Sequence, residues 1–253
     1  MPDTTSSYPP CTFLPWDSEF FGFRIGRVNG NRLDPAMAAE VDAWCVAENI
    51  RCLYFLAAAE DAGTVETAER QAFHQVDIRV TFELRLPLAG TAPAQPEGVL
   101  IRPARQADIA ALKAIGGVSY TLSRFYFDPG FPRQRCDDLY AVWVEKSCQG
   151  YADEVLVAEI GGQAEGFITL KRSDPDSPVG EIGLVGISPS AQGRGLGPVL
   201  VEHSLGWFAR QGLTQAEVVT QGRNIRAQRL YQRAGFITTK VQFWYHKWYH
   251  PNP

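Results

Sequence analysis

The run Gln192-Gly193-Arg194-Gly195-Leu196-Gly197 is the part of the sequence whose residue types most directly imply chemistry. It follows an apolar stretch from Val179 to Ile187 and the connector Ser188-Pro189-Ser190-Ala191. It leads into a segment whose apolar residues are Leu196, Val199, Leu200, Trp207 and Phe208, as in one face of a helix. A strand, a glycine-rich turn and a helix N-terminus in that order leave several backbone N–H groups unpaired, and the helix dipole adds partial positive charge there. A pyrophosphate fits such a place. Glycine lets the backbone approach phosphate oxygens without a Cβ in the way, and Arg194 can add a charge-assisted contact. Pro198 agrees, because a proline in the first helical turn gives up only an N–H that lacks an intrahelical partner. No Lys-Ser/Thr follows the glycines, which argues against a nucleoside triphosphatase. The late position of the run argues against a leading Rossmann unit.

A second set lies downstream in "NIRAQRLY", Asn224 to Tyr231, followed by Ala234-Gly235-Phe236. Ala227, Leu230, Tyr231 and Ala234 share one helical face, so Tyr231 points inward. On the residues alone it is either a core tyrosine satisfied by one hydrogen bond or a proton donor, since a phenol of pKa about 10 is protonated at neutral pH. The stretch from Tyr120 to Phe131 sets Phe125, Tyr126, Phe127 and Phe131 beside Arg124 and reads equally as core or as a ligand-facing wall.

The elements that must carry these residues alternate between strand and helix. Strands are expected over 20–28, 52–58 and 76–86, with helices over 35–48 and 65–73. Pro87 to Gly98, with three prolines and almost no bulky apolar residue, reads as a linker. Beyond it come a strand at 99–102, helices at 107–115 and 133–148, and strands at 155–160 and 164–170 joined by Gly161-Gly162. That dipeptide suits a two-residue hairpin, so 155–160, 164–170 and 179–187 form three consecutive antiparallel strands.

Composition limits the partners. Net charge is −4 with no long run of like charge, so neither nucleic acid nor an anionic membrane is expected. No apolar segment approaches a membrane span and Met1 to Pro10 has no leader pattern, so a cytoplasmic location is expected. Five cysteines without a C-x-x-C pair point to reduced thiols, and His246 and His250 have a ligand-like spacing that reads as chance, so no metal is expected. The aromatic segment 241–249 suits either a homodimer contact or a terminal strand packed on its own sheet.

Gln192-x-x-Gly195-x-Gly197 after a strand resembles the acyl-CoA signature of the GNAT acetyltransferases, and 224–236 resembles the second signature of that family. The resemblance implies an α/β GNAT fold, a mixed and mostly antiparallel sheet flanked by helices, binding acetyl-CoA. It places the pantetheine arm along Leu184, Val185, Gly186 and Ile187, the phosphates on Gln192, Gly193, Arg194, Gly195, Leu196 and Gly197, and Asn224 on the cofactor. Tyr231 would protonate the departing thiolate, an amide near Val185 would stabilise the oxyanion, and Glu181 would serve as the base or would only cap a sheet face.

"LPWDSEFFGFRIGRV", "SRFYFDP" and "FWYHKW" further resemble the dTDP-fucosamine acetyltransferases, which acylate nucleotide-linked 4-amino-6-deoxysugars. That implies a partial GNAT-like domain over 1–90, a complete one over 99–253, and a dTDP-amino-sugar acceptor met by Phe20, Phe21, Arg124 and Phe125. Those four residues are otherwise packing between domains. An aminoglycoside, a polyamine or a protein lysine as acceptor, or an acyl-CoA sensor without turnover, are the competing readings.

Overall fold

The structure, a computed structural model, describes residues 9–86 and 95–249. Of the expected linker, residues 87–94 lie outside the described part, as does His250. The chain begins with β1 (Cys11–Phe13), α1 (Pro15–Phe21), β2 (Ile25–Val28), α2 (Pro35–Ala47), β3 (Cys52–Ala58), α3 (Ala62–Arg70) and β4 (His74–Arg85). It continues through β5 (Val99–Pro103), α4 (Ile109–Ser119), α5 (Arg133–Lys146), β6 (Glu154–Ile160), β7 (Gln163–Arg172) and β8 (Val179–Ile187). It ends with α6 (Leu196–Arg210), β9 (Gln215–Gln221), α7 (Ile225–Arg233) and β10 (Ile237–Trp248).

These elements divide into two compact units, and the division does not follow the expected boundary between 90 and 99. The first unit holds Met1–Arg79 with Ser123–Arg135 and Val241–Pro253, and the second holds Val80–Leu122 with Cys136–Lys240. The reason is aromatic burial. Phe125 and Phe131 pack on Phe21 and Tyr54 with ring centroids 4.7 to 6.3 Å apart, and Tyr245 packs on Phe55 and Phe73. Two distant segments are thereby drawn to the N-terminal part.

In the first unit β1 pairs antiparallel with β2, β2 parallel with β3, and β3 antiparallel with the end of β10. Leu53, Phe55, Ala57 and Tyr245 bury one face under Val41, Cys45 and Ala68 from α2 and α3. Both helices start on aspartate caps: Asp34 accepts from the Met37 N–H and Asp61 from the Thr64 N–H, each at 2.8 Å. The expected strand over 20–28 is corrected here, since only Ile25–Val28 is extended. Pro15 in the first turn, Asp17 beside it and Gly22 at φ 81° start and stop a short helix that carries Phe20 and Phe21.

In the second unit Gly161 and Gly162, at φ 57° and 81°, fold β6 onto β7. β5, β6, β7 and β8 are antiparallel in that order, and β8 runs parallel to β9 after the α6 crossover. Leu112 and Ile115 of α4 and Val144 of α5 cover Val155, Val157 and Phe167. The succession β8–α6–β9–α7–β10 repeats that of β2–α2–β3–α3–β4, parallel pair included. All five cysteines are free thiols. Among the described residues no helix is long and apolar enough to cross a membrane, and no group of three or more His, Cys, Asp or Glu is placed to hold a metal.

Candidate functional site

β8 and β9 are paired only from Val179/Gln215 to Ile182/Val218, although both strands run on to Ile187 and Gln221. Beyond Ile182 the β9 side of β8 is therefore unpaired. On its other side β8 follows β7 through a bulge at Gly183–Leu184, where the Leu184 N–H donates to Thr169 Oγ1 at 2.8 Å. A Cβ on Gly183 would meet that oxygen at 2.8 Å, so the bulge requires glycine. The Ser188 N–H donates to the Glu165 carbonyl at 2.8 Å, which fixes the alternation. Gly186 then turns its polar groups toward β7, and Val185 and Ile187 turn theirs toward the open side.

The glycine turn follows. Gly193 and Gly195 have φ of 81° and 79°, and Gly195 is the N-cap of α6 without any side-chain acceptor. Unlike α2, α3 and α7, this helix leaves its first amides, those of Leu196 and Gly197, uncapped by a side chain. Glu165 pins the approach by accepting from Ser188 Oγ and from Ser190 Oγ. Gln192 is exposed and accepts from Arg226 Nη1 at 2.8 Å, so Arg226 joins the exposed Arg194 as a cation at the turn. Nothing in the local sequence singled out Arg226 or Glu165, because each reaches the turn from a different element. For Gly195→Ala, coenzyme A affinity measured by titration calorimetry is expected to fall about tenfold, since a Cβ at left-handed φ costs about 1–2 kcal/mol. An unchanged affinity would remove the turn from the binding site.

Tyr231 is 5% exposed, on α7, with its ring 6.1 Å from Phe82 and 5.9 Å from Phe236. Asn224 caps that helix by accepting from the Ala227 N–H at 3.1 Å, which leaves its amide nitrogen as the group able to meet a ligand. Gly235 at φ 91° ends the helix and lets the Phe236 N–H return to the Tyr231 carbonyl. Burial pushes the Tyr231 phenol well above its ordinary value. Tyr120 is a residue the sequence reading passed over. It stacks on Tyr140 with ring centroids 4.3 Å apart, and its hydroxyl is buried beside the Val185 backbone. Burial raises its pKa most, Tyr231 and Tyr140 add to this, and the Val185 backbone amide opposes it, so Tyr120 shares the neighbourhood of Tyr231 and the open strand. Its signal lay in the aromatic run from 120 to 131, where the phenylalanines drew the attention.

Glu181 is half-buried on the paired part of β8, in register with Lys171 of β7 and Glu217 of β9. The four expected acceptor residues all belong to the first unit. Phe21 and Phe125 are 4% and 2% exposed and pack on each other and on Phe131. Phe20 is half-buried, stacked on Trp16 and beneath Arg135. Arg124 is half-buried with its guanidinium over Tyr54, Phe125 and Trp244.

A β-bulged strand splayed from its parallel neighbour, followed by a glycine turn and an uncapped helix, defines the GNAT fold. Comparison with known proteins agrees. Residues 120–236 match the model of the Acetyltransferase (GNAT) family, and the solved structures that overlay the chain share its fold. A GCN5-related N-acetyltransferase from Sphaerobacter thermophilus overlays 96% of this chain and 77% of its own, with TM-score 0.67 and 18% identity. A tandem GNAT protein from the clavulanic acid biosynthesis pathway overlays 90% and 76%, with TM-score 0.64 and 14% identity. Among curated proteins, the mycothiol acetyltransferase of Tsukamurella paurometabola is 31% identical over 168 residues, 63% of this chain and 56% of that one. The spore coat polysaccharide biosynthesis protein SpsD of Bacillus subtilis is 26% identical over 147 residues, 58% of this chain and 50% of that one. The chain spans about half the length of these two curated relatives.

Proposed function

We propose that the chain transfers an acetyl or short acyl group from acyl-CoA to the amine of a dTDP-linked amino-6-deoxysugar, by direct attack in a ternary complex. The observation that carries the acyl-transfer part is the grouping within one unit of the outward Val185 and Ile187 backbone, the uncapped turn at Gly195–Gly197 and the buried Tyr231. Acyl-CoA supplies the thioester. Leu184 to Ile187 hold its arm by strand-like hydrogen bonds, and Gln192 to Gly197 with Asn224 hold its phosphates. The Val185 N–H meets the carbonyl oxygen as charge develops on it, and Tyr231 gives its proton to the leaving sulfur. Glu181 takes the proton of the acceptor ammonium, directly or through water.

The acceptor reading is supported by the charged and aromatic set around Arg124 and by the polysaccharide pathway in the name of SpsD. Phe20 and Arg124 reach the surface and serve as contacts, with Phe21 and Phe125 as the packed wall behind them. The first unit is read as a partial GNAT-like repeat, supported by the repeated β–α–β–α–β succession. A second reading, an acceptor of the kind used by mycothiol acetyltransferases, is favoured by the 31% identity to one of them.

The test measures CoA release from acetyl-CoA with dTDP-4-amino- and dTDP-3-amino-6-deoxysugars, the acceptor of mycothiol acetyltransferases, an aminoglycoside, a polyamine and a lysine peptide. Turnover confined to a dTDP-amino sugar is expected. Turnover of a different amine alone sinks the acceptor, and acetyl-CoA binding with no turnover of any amine points to a sensor. In the active pair, Glu181→Gln is expected to change the acid limb of the kcat/KM pH profile; an unmoved limb removes Glu181 as the base.

A further inference from the structure

Acyl transfer makes no use of a polar cluster inside the first unit. Asp128 accepts from His246 Nδ1 at 2.6 Å, from Trp248 Nε1 at 2.9 Å and from the Gly130 N–H at 2.9 Å. A carboxylate on Nδ1 fixes the proton there and leaves Nε2 as a lone-pair acceptor. His246 is 0% exposed, and Nε2 has no partner among the described residues. Burial lowers the His246 pKa to about 4 against the pull of Asp128, so the ring is neutral and Nε2 stays an acceptor.

Tyr54 lies beside it, ring centroids 4.8 Å apart, and its hydroxyl is also buried, with the Arg124 side chain as its neighbour. Arg124 follows, its guanidinium 4.7 Å from the Tyr54 ring centroid and 4.1 Å from that of Trp244, with Nε buried and without a partner among the described residues. An acceptor, a hydroxyl and a cationic donor thus stand on neighbouring residues; burial raises the Tyr54 pKa and the adjacent Arg124 opposes the rise, while His246 Nε2 is left without a donor among the described residues. Folding alone does not favour this, because a buried polar group without a partner costs about 1–3 kcal/mol. Arg124 and Trp244 are only half-buried, so they form the part of the cluster nearest solvent.

We infer that Tyr54, Arg124 and His246 form a binding site for the hydroxylated ring of a sugar, with Trp244 as the surface for its apolar face. A ring hydroxyl donates to His246 Nε2, while Tyr54 and Arg124 donate to ring or hydroxyl oxygens, which together match the mixed donor and acceptor rim of a pyranose. The inference rests on the proposed acylation of a sugar-linked amine and assigns this cluster to the hexose, not to the nucleotide.

Tyr54→Phe tests it, because the change removes only the hydroxyl and keeps the packed ring. A purely structural hydroxyl predicts a variant with unaltered kinetics, whatever its stability. The full chain is assayed with dTDP-4-amino-4,6-dideoxygalactose and acetyl-CoA, and is titrated calorimetrically with that sugar nucleotide and with dTDP alone. The expected result is a KM for the sugar nucleotide raised about fivefold to tenfold. The kcat, the acetyl-CoA KM and the dTDP affinity should stay within about twofold of native values. An unchanged sugar nucleotide KM overturns the site, and so does a matching loss of dTDP affinity, which would assign the cluster to the nucleotide. If the native protein acylates no such sugar, the acylation reading fails by itself and calorimetry decides. Sugar nucleotide binding that weakens in Tyr54→Phe retains the site, whereas equal or undetectable binding leaves the cluster to ordered water alone and overturns it.

Discussion

Tyr231→Phe is expected to lower kcat by about 10²–10⁴-fold, the range for loss of a positioned general acid. Affinity for acetyl-CoA should be nearly unchanged. The ring stays in place between Phe82 and Phe236, so the variant keeps the packing and loses only the proton. Stopped-flow release of CoA at saturating donor and acceptor reads the first quantity, and calorimetric titration with acetyl-CoA reads the second. In the proposed reaction the active form is the protonated phenol. Because burial raises its pKa, ionisation of this group takes no activity away as pH rises through neutrality and removes it only above the ordinary phenol range. A native-like kcat in Tyr231→Phe would make the side chain a core tyrosine.

The second large effect is on stability. Arg102 of β5 is a buried cation held by two carboxylates: Asp108 meets its Nη1 and Nη2 at 2.6 and 2.9 Å, and Glu159 meets its Nε at 2.5 Å. Asp108 also accepts from the Arg105 N–H at 2.6 Å, which starts the turn leading into α4. Asp108→Ala takes the carboxylate from Nη1 and Nη2 and leaves Glu159 on Nε, and breaking a buried pair costs up to about 3–5 kcal/mol. In a chain of this size that lowers the melting temperature by up to about 6–20 °C, measured by scanning calorimetry or circular dichroism.

The pH dependence has a definite sign. The hydrogen bonds from Arg102 hold the Asp108 carboxyl below its ordinary value. A folded pKa below the unfolded one means the unfolded chain binds the proton more readily in acid. The contribution is fully present above the unfolded value of about 4 and is lost as pH falls through the depressed folded value. The difference in stability between native protein and Asp108→Ala should therefore be constant from pH 5 to 7 and shrink below about pH 4. A difference that instead grows on acidification would contradict this.

Much of the proposed donor site was legible in the sequence, because its determinants are backbone determinants. A positive φ favours glycine whatever lies nearby, so Gly161-Gly162, Gly193, Gly195 and Gly235 announced a hairpin, a tight turn before a helix and a helix end without knowledge of the fold. The same local rules were present and were misread once. Pro15, Asp17 and Gly22 mark a helix that the apolar run through Phe20 to Phe23 had suggested was a strand.

What the sequence alone determined is thus the strand, the glycine turn and the helix for which diphosphate binding is proposed, and the inward face that carries Tyr231. Tertiary structure alone decided which distant groups complete them. Arg226 reaches Gln192 across 34 positions, and Asp128 reaches His246 across 118. Tyr120 comes to the open strand from the end of α4, and the segments 123–135 and 241–249 join the N-terminal unit because that is where their aromatic rings are buried. Local propensity is read within a few residues along the chain, whereas removal of apolar surface from water and satisfaction of buried polar groups are conditions on the folded whole.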